Sequence, residues 1–117
     1  MTTQNREQSQ GESGVRIIHV EWATKIGLYE AIVLGQIDYW VQRSKHQFFG
    51  RRWVYNTYEG WQAQLPFMSL RTVRRAIAEL ECMGILEYRW LGPTPMNRTK
   101  WYTINYTRLK EVVWEQS

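Results

Sequence analysis

Three arginines crowd the first two turns of one helical stretch, and they lie in the half of a helix where cations are least welcome. The stretch runs from Ser69 to Met83 and is closed by Gly84. Val73, Ala76, Ile77, Leu80 and Met83 recur at three- and four-residue spacing, which turns one face toward a core. Arg71, Arg74 and Arg75 fall on or beside the opposite face, while Glu79 and Glu81 come later. A helix macrodipole favours carboxylates at its start and cations at its end, so the reversed order implies an anion supplied from outside. Arg71 and Arg75 are one turn apart. Seated in a major groove, one such arginine spans the O6 and N7 acceptors of a guanine, worth about 1–3 kcal/mol of discrimination. The others suit phosphates, which fix register without reading sequence. Ser69 and Thr72, at the helix start, suit hydrogen bonds to phosphates or base edges. The competing reading is a solvated basic face in which Arg75 pairs with Glu79 four residues on.

A second basic element follows. Ile85–Trp90 and Thr99–Asn105 alternate in strand fashion, and Leu91–Arg98 between them contains Gly92, Pro93 and Pro95, which forbid a continuous strand. This predicts a β-hairpin whose tip carries Asn97, Arg98 and Lys100, placed to follow a backbone or enter a minor groove. Arg43, Lys45, Arg51 and Arg52 form a further basic cluster, equally readable as flanking phosphate contacts or as a solvated loop.

The elements that must position these residues can be read outward from them. Residues 1–14 offer almost nothing to bury and read as a disordered tail. A short helix is expected over Glu21–Ile26, ending at Gly27, and a long one over Leu28–Arg43. The long helix carries a wide stripe of Leu28, Ile32, Val33, Ile37, Trp40 and Val41, which Leu34 and Tyr39 extend. Ser44–Arg52 reads as a loop with Gly50 at a turn, and Trp53–Tyr55 as a short strand. Asn56 or Thr57 caps the next helix, with Glu59 able to reach back to the cap. That helix ends near Leu65, before Pro66. Ser69 caps the arginine helix, and Thr107–Trp114 forms a last helix. The order is that of a winged helix: an α+β, mainly helical domain over residues 15–114. It comprises a three-helix core, a short strand after the first long helix, a β-hairpin wing and an added C-terminal helix.

Composition removes several alternatives. The net charge of +4 is modest, and its clustering says more than its size. A single cysteine, Cys82, leaves no internal disulfide and no cysteine-based zinc site, which fits a reducing cytoplasm. No stretch reads as a signal peptide or as an apolar run of about 18 residues, so no membrane partner is expected. His19 and His46 lack ligand spacing, so neither metal nor cofactor is expected. Tyr29, Glu30 and Asp38 make no acid–base pair, and no phosphate loop or nucleophile elbow is present, so no enzymatic activity is expected. Trp40, Trp53, Trp61, Trp90 and Trp101 read as core packing rather than as a platform for single-stranded bases.

Three blocks carry a family resemblance. Ile26–Trp40, Trp53–Gln62 and Arg98–Tyr106 resemble the winged-helix domains of phage and plasmid replication proteins, and the similarity covers about residues 15–110. The resemblance implies an N-terminal, DNA-binding part of a replisome organiser or replication initiator, with double-stranded DNA as partner. Some relatives carry a further C-terminal domain for loading the helicase. This sequence stops at Ser117, so contact with other replication proteins is expected only of a longer chain. Two other functions fit the same residues. One is a small transcriptional regulator acting as a homodimer, formed through the first long helix or through Leu109, Val112, Val113 and Trp114. The other is a winged helix turned to protein–protein interaction, for which Arg71 and Arg75 would be dispensable.

Overall fold

A computed structural model describes residues 18–114. The tail expected over residues 1–14 lies outside the described residues, as do 15–17 and 115–117. The described chain is α+β and mainly helical. In order it contains α1 (Val20–Ile26), α2 (Leu28–Arg43), β1 (His46–Phe48), β2 (Arg51–Tyr55), α3 (Tyr58–Gln64), α4 (Leu70–Cys82), β3 (Leu86–Leu91), β4 (Thr99–Ile104) and α5 (Tyr106–Trp114). The strands form one antiparallel sheet in the order β1-β2-β4-β3. A 3₁₀ turn, Pro95–Asn97, closes the β3–β4 hairpin.

Local chemistry explains the boundaries. Thr57 caps α3 by accepting from Gly60 N–H, and Ser69 caps α4 by accepting from Thr72 N–H at 3.1 Å. The cap of α3 is thus Thr57, and the Asn56 side chain accepts from Thr57 N–H instead. Asn105 caps α5 through Arg108 N–H at 3.0 Å. Gly84, with φ of 77°, turns the chain from α4 into β3, a conformation that a β-carbon disfavours. Gly92 is demanded by space, since a β-carbon there would collide with the Asn97 carbonyl across the hairpin.

The core lies between the helices and one face of the sheet. Leu34 and Ile37 of α2, Trp61 of α3, Val73, Ile77 and Leu80 of α4, Leu86 of β3 and Tyr102 of β4 are all buried in it. The stripe expected on α2 is narrower than its composition suggests. Leu28 and Trp40 remain exposed and Tyr39 is half-buried, while Ala31 and Gln36 are buried beside the expected Val33, Leu34, Ile37 and Val41. In α5, Leu109 and Val113 are buried within the chain, so Trp114 is the exposed member of the apolar set expected to meet a partner.

The segment expected as a loop contains an additional strand. β1 pairs with β2 through Phe48 opposite Arg51, leaving the two-residue turn Phe49-Gly50, both at positive φ (54° and 72°). That is the dihedral pattern of a type I′ hairpin, where Asn-Gly is the unstrained choice. Phenylalanine in this conformation costs about 1–2 kcal/mol.

Glu87 fastens β3 across the sheet. It is bonded to the Arg51 guanidinium and accepts from Asn105 Nδ2 at 2.9 Å. The Arg51 bond outweighs burial and, with Asn105, holds the Glu87 carboxyl below the ordinary glutamate range. A depressed carboxyl adds stability above its unfolded value of 4.5 and loses it as pH falls through the lower folded value. Wild type is therefore expected to lose more stability than Glu87→Gln when urea unfolding is repeated at about pH 5 and about pH 3. Equal losses in the two proteins would remove Glu87 as a source of acid sensitivity.

Candidate nucleic-acid interface

Helix α4 keeps one face for the core and gives the other to solvent. Val73, Ala76, Ile77 and Leu80 are buried, while Arg71, Arg74 and Arg75 are exposed. Its first turn has no acidic residue and its last turn no basic one, so the charge order opposes the macrodipole along the whole helix. Arg71 and Arg75 form no ion pair among the described residues, and the Arg75–Glu79 pairing is not formed. Arg74 differs: its guanidinium lies 4.7 Å from the ring centroid of Tyr58, which orients it while leaving it exposed. Ser69 and Thr72 are joined by a hydroxyl–hydroxyl bond of 2.9 Å at the helix start. Their oxygens therefore define the N-terminus and retain only part of their hydrogen-bonding capacity for a ligand.

The β3–β4 hairpin presents Asn97 and Arg98 to solvent at its tip. Thr94 accepts from Asn97 N–H at 3.2 Å and holds the turn. Lys100 is a correction to the sequence reading. It was expected at the tip among the anion-binding residues, yet it is only 7% exposed and points to the helical side of the sheet. Its ammonium donates to Glu81 Oε2 at 2.8 Å and to the Tyr58 hydroxyl at 2.9 Å. The rings of Tyr88, Tyr102 and Tyr58 surround it with centroids 4.3, 5.1 and 5.0 Å away. Burial alone would favour the neutral amine, but Glu81 and Tyr58 outweigh it and hold the ammonium above the ordinary lysine range. As placed, Lys100 fastens α4 and α3 to β4, with two of its three donors taken inside the chain.

The tryptophans divide. Trp53 and Trp61 are buried, as the core-packing expectation requires, whereas Trp40 and Trp90 are exposed and Trp101 is half-buried. Tyr58 was missed by sequence reasoning, although it orients Arg74 and bonds Lys100. The signal for Lys100 was present in the alternation of β4, where it is in phase with the buried Tyr102 and Ile104. Among the described residues there is no group of three His, Cys, Asp or Glu side chains able to hold a metal, and no helix long and apolar enough to cross a membrane. No family model matches the chain, and no curated protein or solved structure does.

Removing one partner of the Lys100–Glu81 pair would strand the other in a mostly buried place. Lys100→Ala is therefore expected to destabilise the fold by about 3 kcal/mol in urea unfolding. Lys100→Met combined with Glu81→Gln should recover part of that loss, because neither charge is then left unpaired. A loss within about 0.5 kcal/mol for Lys100→Ala would instead mark the pair as a weak surface contact.

Proposed function

We propose that the chain is a winged-helix, double-stranded-DNA-binding domain of the kind found in phage and plasmid replication initiators. In this reading α4 enters a major groove. The β3–β4 hairpin acts as a wing along the phosphate backbone. The observation that carries the reading is that Arg71 and Arg75 are exposed and, among the described residues, form no ion pair, in a helix whose first turn holds no acidic residue. Two features support it. The element order α2-β2-α3-α4-β3-β4, with β4 between β2 and β3, is compatible with the arrangement expected of a winged helix. Arg98 and Asn97 sit exposed at the hairpin tip. Arg75 is assigned to a base edge, Arg71 and Arg74 to phosphates or a neighbouring base, and Arg98 to the backbone. The replication role rests on the resemblance of the three sequence blocks. Other replication proteins would join as partners of a longer chain.

Selection of binding sites from a random duplex library, at two salt concentrations, tests the reading directly. An enriched motif with salt-sensitive retention supports it; no enrichment and no retention removes it. Arg75→Ala is expected to cost about 1–3 kcal/mol and to relax base preference at one position. A uniform loss over all sequences would reassign Arg75 to a phosphate. Arg98→Ala is expected to flatten the dependence of log K on log salt by about 0.9. An unchanged slope would take the hairpin tip out of the interface.

A further inference from the structure

Residues 43–56 include Arg43, Lys45, His46, Arg51 and Arg52 and contain no carboxylate. This segment builds much of the sheet face that is turned away from the helices. The pairing of His46 with Trp53, and of Tyr55 with Trp101, puts these four rings on that face, and Arg89 stands opposite Trp101 on the far strand. Trp53 is 1% exposed yet lies outside the main core, and its Nε1–H donates to the Phe48 carbonyl at 2.8 Å. Part of its cover is aromatic. Trp101 meets Tyr55, His46 and Phe48 edge to face, with centroids 4.7, 5.1 and 5.4 Å apart. Phe49, in its strained turn, meets Trp53 edge-on and lies under the Arg89 guanidinium at 4.7 Å.

These covering rings stay wet. Tyr55 is 55% exposed, Phe49 68% and Phe48 37%. Their edge-to-face contacts brace them on a rigid sheet, so each keeps an open side for a flat ligand. Around the edge of the sheet, on its helical side, a separate cavity of about 440 Å³ opens between the ends of α2 and α3 and strand β2, with Trp40, Val54, Trp61 and Gln64 among its walls and His46 and Tyr55 at the rim. Glu87, the carboxylate on this sheet face, is paired with Arg51, so the face remains net positive.

We infer that this outer face is a second binding site, and that its ligand is single-stranded nucleic acid. Bases stack on Tyr55, His46 and Phe48, and Lys45 and Arg89 meet phosphates. A duplex cannot use the face, because its bases are already stacked and expose only edges. An apolar protein partner fits poorly, because the centres of such interfaces are depleted of charge, and here cations interleave with the rings. The site does not depend on α4, which packs against the opposite face of the sheet.

The test uses fluorescence anisotropy with two probes, a labelled oligothymidylate of about 15 nucleotides and a labelled random duplex. Tyr55→Ala and Lys45→Glu are each expected to weaken oligothymidylate binding by at least about fivefold and to leave duplex binding within about twofold. The double variant Arg71→Ala, Arg75→Ala should do the reverse. Both outer-face positions are exposed, and unchanged thermal unfolding of the variants would show that the fold survives. Unaltered oligothymidylate binding in both outer-face variants overturns the proposal, as does a wild type that ignores the probe at physiological salt. A concentration-dependent dimer dissociated by Tyr55→Ala would assign the face to a second copy and also overturn it. Duplex binding that fails while the single-strand pattern holds would sink the α4 reading and leave this one standing.

Discussion

Because side chains alternate along β4, Lys100, Tyr102 and Ile104 leave by one face of the sheet while Trp101 and Thr103 leave by the other, and both sets need cover. The strand is paired on both edges, to β2 and to β3, so it has no exposed backbone to relax the demand. Helices α2, α3 and α4 cover the first set and make the main core. The second set is covered instead by the β1–β2 hairpin, whose rings fold over Trp53 and meet Trp101. A short strand that contributes nothing to the main core is thereby explained, and so is the strained Phe49 at its turn.

The same constraint decides where the cations go. Lys100 sits on a face that must be buried, and only a carboxylate and acceptor rings make that tolerable for an ammonium. Glu81 supplies the carboxylate from α4, and Tyr58 supplies a hydroxyl and a ring from α3. One ion pair thus ties both helices of the turn motif to the central strand. Arg74, stacked on the same Tyr58, draws its orientation from that joint. Among the described residues Arg71 and Arg75 have no such ion-pair partner, and unlike the lysine they stay exposed.

The helices were legible from the sequence because their signals are local. Apolar spacing gave α2 and α4, capping chemistry gave Ser69 and narrowed the α3 cap to Asn56 or Thr57, and Gly84 marked the end of α4. The β3–β4 hairpin was legible for the same reason, since Gly92 and the prolines bound two alternating runs. Strand β1 was not. His46-Gln47-Phe48 has no β-branched residue, spans three positions, and owes its existence to pairing with β2. Lys100 was misread for a different reason. Its proximity to the basic tip was weighed, while its phase relative to Tyr102 and Ile104, which fixes its face, was not. The tryptophans show the limit of composition: five rings of one kind divide between core and surface according to topology that no single residue announces.

Register is what keeps the two candidate surfaces distinct. A slip of one residue in β4 would exchange its faces, bringing Trp101 to the helices and Lys100 to the outer side. The anchor of α4 and the aromatic cover of the outer face would then fail together. Two polar fastenings oppose such a slip from opposite sides of the sheet. Lys100–Glu81 locks the helical side, and Glu87, bound to Arg51 and Asn105, locks the outer side by joining β3 to β2 and to the residue that follows β4. The half-exposed Arg51–Glu87 pair is worth little as an ion pair in isolation, and the attraction within the buried Lys100–Glu81 pair largely offsets its own desolvation. Their value lies in selecting one alternation over the other, since apolar and aromatic side chains occur on both faces of β4 and hydrophobic burial alone discriminates weakly between the two.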